Sequence, residues 1–325
     1  MKTIAQSFKD YLESVKYARS ENTYLAYSNA IKYFWMTITS NGIDPEADNV
    51  DIIKEDVISW FAYDLKGYSA ASEQLYITAI KGYLEFLLAE NLSTINLAKV
   101  RLLIKQRTRK PGKRLPQFPA DDITKIIDFM EKSFILDKND GKDKLRALRD
   151  KAFIITLADT GLRVHEACLL RRGDIDWNEG KALVIGKGNR QTVIRFSKRS
   201  QKALRAYLQE RSSLDGKSGK QLGSLPLFAR HDKGAGEKIK HITPTTGRNI
   251  VTMVVRKILG EDAVGTITPH SFRHYFVTKV LTLTGNLKLA QSLARHKNIA
   301  VTQRYAHLSN DALDKGYWEV FEEKE

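Results

Sequence analysis

A single cysteine, Cys168, stands in 325 residues, which excludes an intramolecular disulfide and a multi-cysteine metal site. Its neighbours Ala167, Leu169 and Leu170 predict a small buried side chain. No apolar run reaches membrane-spanning length, and the opening MKTIAQSFKDYLESVKY puts charges where a signal peptide needs an apolar centre. The expectation is a soluble protein of the cytoplasm. The GxxxxGK[ST] phosphate loop is missing, as are the HExxH arrangement of a zinc hydrolase and the paired carboxylates of a two-metal nuclease. Internal repeats and low-complexity tracts are absent too.

Positive charge is plentiful, and it is unevenly placed. The chain carries a formal +15, but residues 1–104 hold 10 Lys and Arg against 13 Asp and Glu. The basic excess therefore lies entirely beyond residue 104. Such asymmetry fits a polyanion-binding second half better than a surface that merely keeps the chain soluble.

Residues 1–104 read as a bundle of about four helices. Phe8, Leu12 and Val15 mark the first, and Tyr24, Tyr27, Ile31, Phe34 and Ile38 run at helical steps to the Asn41-Gly42 break. Val57, Trp60, Phe61 and Leu65 repeat the pattern before Gly67. Tyr76, Ile80, Tyr83, Leu84, Leu87 and Leu88 form another stripe, with Ser69 as its N-cap. The aromatics read as core rather than as a platform for stacking bases.

The run KQRTRKPGKRLP, residues 105–116, contains Lys105, Arg107, Arg109, Lys110, Lys113 and Arg114 with no acid, and Pro111 stops any helix. It reads as an extended basic linker, either a solvated tether or a tracker of phosphates. Residues 117–325 form the second domain. Helices are expected over Asp121–Glu131, Leu148–Leu157 after a polar DKNDGKDK loop, and around Arg163–Leu170. Strands Ala182–Ile185 and Thr192–Phe196 flank a Gly186-Lys187-Gly188-Asn189 turn. Helices follow over Ser200–Arg211, Thr246–Leu259, Pro269–Leu283 and Leu287–Ala294, with an acidic one at the end. The fold class is thus mainly α with a small β-sheet.

Four separated pieces carry chemistry: Arg163 with Glu166, Lys187 between glycines, His270 with Arg273, and His296 nine positions before Tyr305. Singly each has a plain alternative: a surface ion pair, a turn, a shared helix face, a packed tyrosine. Together, in this order, they resemble the tyrosine recombinase (phage integrase) family. LRDKAFIITLADTGLRVHEACLLRRGDIDW is similar to its first box, and ITPHSFRHYFVT with LARHKNIAVTQRYAHL to its second. The first domain resembles the family's helical core-binding domain more loosely.

The resemblance implies a two-domain clamp around DNA that cuts and rejoins strands through a 3′-phosphotyrosyl link, with no metal, nucleotide or other cofactor. It implies that Arg163 and Arg273 hold the scissile phosphate, Lys187 protonates the leaving 5′-oxygen, His270 serves as acid/base and His296 contacts phosphate. Tyr305 matches the nucleophile, and Glu166 stands where an acid braces the site. The implied partners are double-stranded DNA with paired inverted half-sites and further copies of the chain, two per site and four in synapsis. Residues 311–325 carry an apolar stripe that, by the same resemblance, docks on a neighbouring copy, and no extra arm-type DNA-binding domain is expected.

The chemistry of the residues agrees. Two planar guanidiniums suit a phosphate gaining charge, cations favour phenolate, and a lysine on a turn can protonate an alkoxide. Thr268-Pro269 makes a helix start that puts His270 and Arg273 on one face. Three positions depart from the family pattern: Arg295 where glycine is usual, His165 for a small hydroxyl residue and Tyr275 for threonine. The rival readings are a type IB topoisomerase, chemically alike but acting alone, and a non-catalytic DNA-binding protein that has kept the fold.

Overall fold

The structure, a computed structural model, describes residues 2–110, 119–132, 141–186, 190–232, 234, 238–296 and 298–306. Within them, the side chains of residues 142, 186, 190 and 304–306 lie outside the description. The chain divides into two compact units, Met1–Arg114 and Leu115–Glu325.

The first unit is helical: α1 Ile4–Ala18, α2 Glu21–Ser40, α3 Val57–Asp64, α4 Ala70–Ala89 and α5 Leu97–Arg107. Thr3 opens α1 with a reciprocal cap to Gln6, and Ser20 and Ser69 cap α2 and α4 through their hydroxyls. The aromatic stripes face inward. Phe34, Phe61 and Tyr83 are fully buried, and the Phe34 and Phe61 rings meet edge-on at 5.3 Å. Tyr11 crosses between helices to donate its hydroxyl to the Ala79 carbonyl. Its oxygen would lie 2.5 Å from a Cβ at Gly82, so glycine there lets α1 and α4 approach.

The linker begins later than residue 105. Helix α5 carries Lys105 and Arg107, because Val100 is buried and Leu97, Leu103 and Ile104 pack on the same core. The helix ends where Thr108 turns both its N–H and its hydroxyl back to the Ile104 carbonyl. Arg109 is then anchored rather than extended. Its backbone N–H and Nε donate to the two oxygens of fully buried Glu73 at 2.9 and 2.6 Å, and Nη2 donates to the Leu65 and Tyr68 carbonyls. Lys66 completes the knot, bonding Glu73 and the Arg107 carbonyl. Lys105, Arg107 and Lys110 stay exposed, while Lys113 and Arg114 lie outside the described residues.

The second unit contains α6 Ala120–Lys132, α7 Gly141–Thr160, α8 Val164–Leu169, then β1 Ile175–Asp176, β2 Lys181–Gly186 and β3 Arg190–Arg195. Helices α9 Lys198–Glu210, α10 Ser212–Lys217, α11 Pro244–Leu259, α12 Pro269–Thr284, α13 Leu287–Ala294 and α14 Ile299–Ala306 follow. The fold is therefore mainly helical with one small sheet, as the sequence predicts. Helix α7 starts inside the polar stretch read as a loop, since Leu145 and Leu148 both reach the core one turn apart. The sheet is antiparallel in the order β1-β2-β3. Ala182 pairs with Ile194, both buried, while Leu183 and Val193 pair on the exposed face. Pairing runs to Gly186 and Arg190, so Lys187 is the first residue past β2.

One buried polar network lies apart from every sequence motif. Arg211 is fully buried, donating to Asp215, to the Tyr207 hydroxyl and to the Leu227 and Pro226 carbonyls. The Tyr207 oxygen also accepts from the Ala229 N–H, leaving its own proton for His231 Nε2 at 2.7 Å. Burial, followed by Arg149, Arg211 and Arg146, pushes the His231 pKa down to about 3.

Candidate active site

The turn between α7 and α8 organises the site. Gly161 takes φ +58°, and a Cβ there would stand 2.6 Å from the Phe276 ring, so both backbone and space demand glycine. This turn aims the Gly161 carbonyl at two guanidiniums: Arg273 Nη1 at 2.5 Å and Arg295 Nη2 at 3.4 Å. Arg163 is the N-cap of α8, and Glu166 at the third position bonds back to it. Glu166 Oε2 accepts the Arg163 backbone N–H at 3.0 Å, and Oε1 accepts Nη1 at 2.9 Å.

Helix α12 begins as its Thr268-Pro269 start predicts, with Ser271 closing a capping box. Arg273, one turn on, is 2% exposed and donates to the Gly161 and Ala294 carbonyls, binding α12 to the α7–α8 turn and to α13. The neighbouring His270 is exposed, its ring edge-on to His274 at 4.3 Å. The α13–α14 turn then supplies Arg295 and His296. His296 Nδ1 lies 2.8 Å from the hydroxyl of fully buried Thr302 on α14.

Arg295 adopts φ +58°, the left-handed conformation that usually selects glycine and costs other residues about 1–2 kcal/mol. Its guanidinium turns inward. The side chain is 8% exposed, and Nη2 meets Glu166 Oε2 at 2.9 Å. One buried carboxylate thus serves two arginines whose chain positions lie far apart.

Among the described residues three guanidiniums, Arg163, Arg273 and Arg295, face one carboxylate, and the electrostatics follow from that excess. Burial alone would raise the Glu166 pKa, but Arg295 and the Arg163 hydrogen bonds outweigh it and hold the pKa below its ordinary value. Burial, then Arg163 and Arg295, pushes Arg273 down to about 9, still protonated at neutral pH. Loss of solvent around the ring, then Arg273 and Arg163, lowers His270. Burial with His270 and Arg273 holds His274 down to about 4, and burial with Arg273 and Arg163 holds His296 down to about 4. At pH 7 the three histidines are neutral, and the pocket keeps an uncompensated positive charge ready for an anion.

Of the residues singled out in the sequence, the structure gathers Arg163, Glu166, His270, Arg273 and His296 around this pocket. Lys187 lies outside the described residues. Tyr305 has its backbone on α14, three positions after Thr302, and its side chain lies outside the description. His165 is exposed on α8, beside a cleft lined by Leu169, Leu183 and His241. Sequence reasoning missed the inward turn of Arg295 and the role of Thr302. The available signal was the arginine standing where the resemblance has glycine.

The fold and the cation-rich pocket fit an enzyme that acts on an anionic substrate, and comparison with known proteins gives the family. Residues 117–311 match the model of the phage integrase family. The tyrosine recombinase XerC of Bacillus pumilus is 30% identical over 310 residues, 93% of this chain and 93% of that one. XerC of Thermodesulfovibrio yellowstonii is 28% identical over 313 residues, covering 95% and 93%. Among solved structures, a XerH site-specific recombinase bound to a palindromic difH substrate superposes with a TM-score of 0.66 at 15% identity, covering 98% of this chain and 96% of that one. The Tn1549 transposon integrase in complex with transposon right-end DNA gives 0.66 at 19% identity, covering 98% and 99%. The chain belongs to the phage integrase family of tyrosine recombinases.

Proposed function

We propose that this chain is a site-specific DNA recombinase that breaks and rejoins strands through a covalent bond between Tyr305 and a 3′-phosphate. The observation that carries the reading is the cluster of Arg163, Arg273 and Arg295 around the single carboxylate of Glu166, with neutral His270 and His296 beside it. Such a pocket suits a phosphodiester that gains charge on its non-bridging oxygens as it is attacked.

In the proposed reaction the Tyr305 phenol oxygen forms a bond to phosphorus while the bond to the 5′-oxygen breaks. Neutral His270 takes the phenol proton, and Lys187 gives a proton to the departing 5′-oxygen. A 5′-hydroxyl of another strand reverses the steps. The diester energy stays in the tyrosyl bond, so resealing needs no nucleotide, and none of these proton transfers calls on a metal. Double-stranded DNA with paired inverted half-sites is the proposed substrate, bound by two copies per site and four in synapsis. The XerC names among its relatives favour recombination over the relaxation of a type IB topoisomerase.

Mixing the protein with a suicide substrate and resolving it on a denaturing gel tests the reading. A covalent protein–DNA band is expected from the natural chain and not from Tyr305→Phe, which still shifts DNA on a native gel. A band that persists in the Phe variant overturns the assignment of Tyr305.

A further inference from the structure

Arg295 combines three features that are individually unusual. It occupies a left-handed turn, φ +58°, where glycine is the unstrained choice. Its charged side chain is more than nine-tenths buried. Its Nε is buried with no hydrogen-bond partner among the described residues. A charged side chain held under backbone strain, with a donor left unsatisfied, calls for a compensating role.

The partner set points to that role. Glu166 Oε1 is engaged by Arg163 Nη1, and Oε2 is shared between the Arg163 backbone N–H and Arg295 Nη2. Without Arg295, the carboxylate would face Arg163 as its only hydrogen-bonding cation and would cancel that charge. With Arg295 present, one negative charge is divided between two guanidiniums. Arg163, whose side chain is 39% exposed, then keeps part of its positive charge for an incoming anion.

We infer that Arg295 is a positioning residue of the phosphate pocket, drawing the Glu166 carboxylate partly away from Arg163 so that Arg163 remains an effective cation toward the transferred phosphoryl group. The inference rests on the recombinase reading above and adds a residue to it. The charged groups facing Arg295 are Glu166 and Arg163 at the head of α8 and Arg273 on α12, with His296 its neighbour along the chain.

The test compares single-turnover cleavage of a suicide substrate by the natural chain, Arg295→Gln, Arg295→Lys and Arg295→Gly, each with a thermal melt and half-site affinity. Arg295→Gln is expected to slow cleavage by about 10–100-fold, the range typical when a group that orients a metal ligand is removed, taken here as the scale for a residue that orients a charged partner. Arg295→Lys is expected to recover part of that loss. Arg295→Gly relieves the turn and is expected to melt no lower than the Gln variant, yet to cleave as slowly. In the Gln and Gly variants the acidic limb of the pH–rate profile should move to higher pH, because Arg163, now more fully neutralised by Glu166, favours the phenolate less. A change in packing alone would not move that limb.

The decisive arm is the Glu166→Gln background. There no carboxylate remains to be shared, so Arg295→Gln should have little further effect. An equal fractional loss in both backgrounds would show that Arg295 acts elsewhere, and natural rates with an unmoved pH profile in the Gln variant would also overturn the inference. If Arg295→Gln fails to fold, the Gly and Lys variants read the same cycle. Absence of any Tyr305-dependent band from the natural chain is a separate result and defeats the recombinase reading itself.

Discussion

The hydroxyl of Thr302 lies 2.8 Å from Nδ1 of His296, joining the helix that carries the Tyr305 backbone to a histidine of the anion pocket. Thr302 is fully buried, so the pairing is fixed by packing as well as by hydrogen bonding. With Nδ1 occupied, His296 has Nε2 left for a phosphate oxygen.

Thr302→Val keeps the shape and deletes this partner. Leaving the half-buried Nδ1 unsatisfied should cost about 1 kcal/mol of stability. Cleavage should slow by up to about 100-fold, since a small misplacement of reacting groups has that effect. Thr302→Ser should retain most activity. Denaturant melts and single-turnover gels read the two effects separately, and a fully active Val variant would show that the hydrogen bond is incidental.

Lys187 follows β2 directly, and its proposed task is to protonate the leaving 5′-oxygen. Lys187→Ala should be severely slowed on ordinary DNA and largely rescued by a 5′-bridging phosphorothiolate, whose thiolate departs without a proton. Equal impairment on both substrates would point to a positional role.

The basic stretch before Pro111 divides into two kinds of cation. Arg107, Arg109 and Lys110 are all exposed, but Arg109 has its guanidinium held by Glu73. Neutralising Arg107 or Lys110 should lower the salt slope of DNA binding by about one unit for each phosphate left without its cation. Arg109→Ala should leave that slope unchanged and destabilise the first unit by about 1–3 kcal/mol, the weight of a hydrogen-bonded charge. The opposite pattern, a changed slope with natural stability, would return Arg109 to the phosphate backbone.

The Tyr207–His231 hydrogen bond predicts acid sensitivity. Folded His231 titrates at about 3, depressed by burial, while an unfolded histidine titrates near 6.5. Between those values the unfolded chain holds the extra proton. Stability therefore falls as pH drops below about 6.5, by up to about 1.4 kcal/mol per pH unit for this group. His274 and His296 act in the same direction. Urea unfolding at pH 7.5, 6.5 and 5.5 should show a shallower decline for His231→Gln than for the natural chain, and parallel lines would remove His231 from the account.

The sequence made the start of α12 legible because Thr268 and Pro269 act locally, through a cap and a fixed φ. The β2–β3 pairing was legible from alternation, since Ala182 and Val184 bury while Leu183 and Ile185 do not. Helix α5 is hard to read although Val100, Leu103 and Ile104 carry its signal, because the charges that follow dominate the pattern. The Glu73–Arg109 pair could not be read at all: it spans a helix and a loop, and nothing local marks a glutamate as buried. The same holds for Arg211, whose partners lie on α9, α10 and the Pro226–Ala229 segment.

The Glu166–Arg295 pair also orders events in time. The two residues are separated by 129 positions, so at about 5–20 residues per second a ribosome takes on the order of ten seconds to add the second after the first. Throughout that interval Glu166 has only Arg163 to neutralise it, and Gly161 waits for both of its guanidiniums. The third guanidinium of the pocket is therefore supplied only when the last turns of the chain dock.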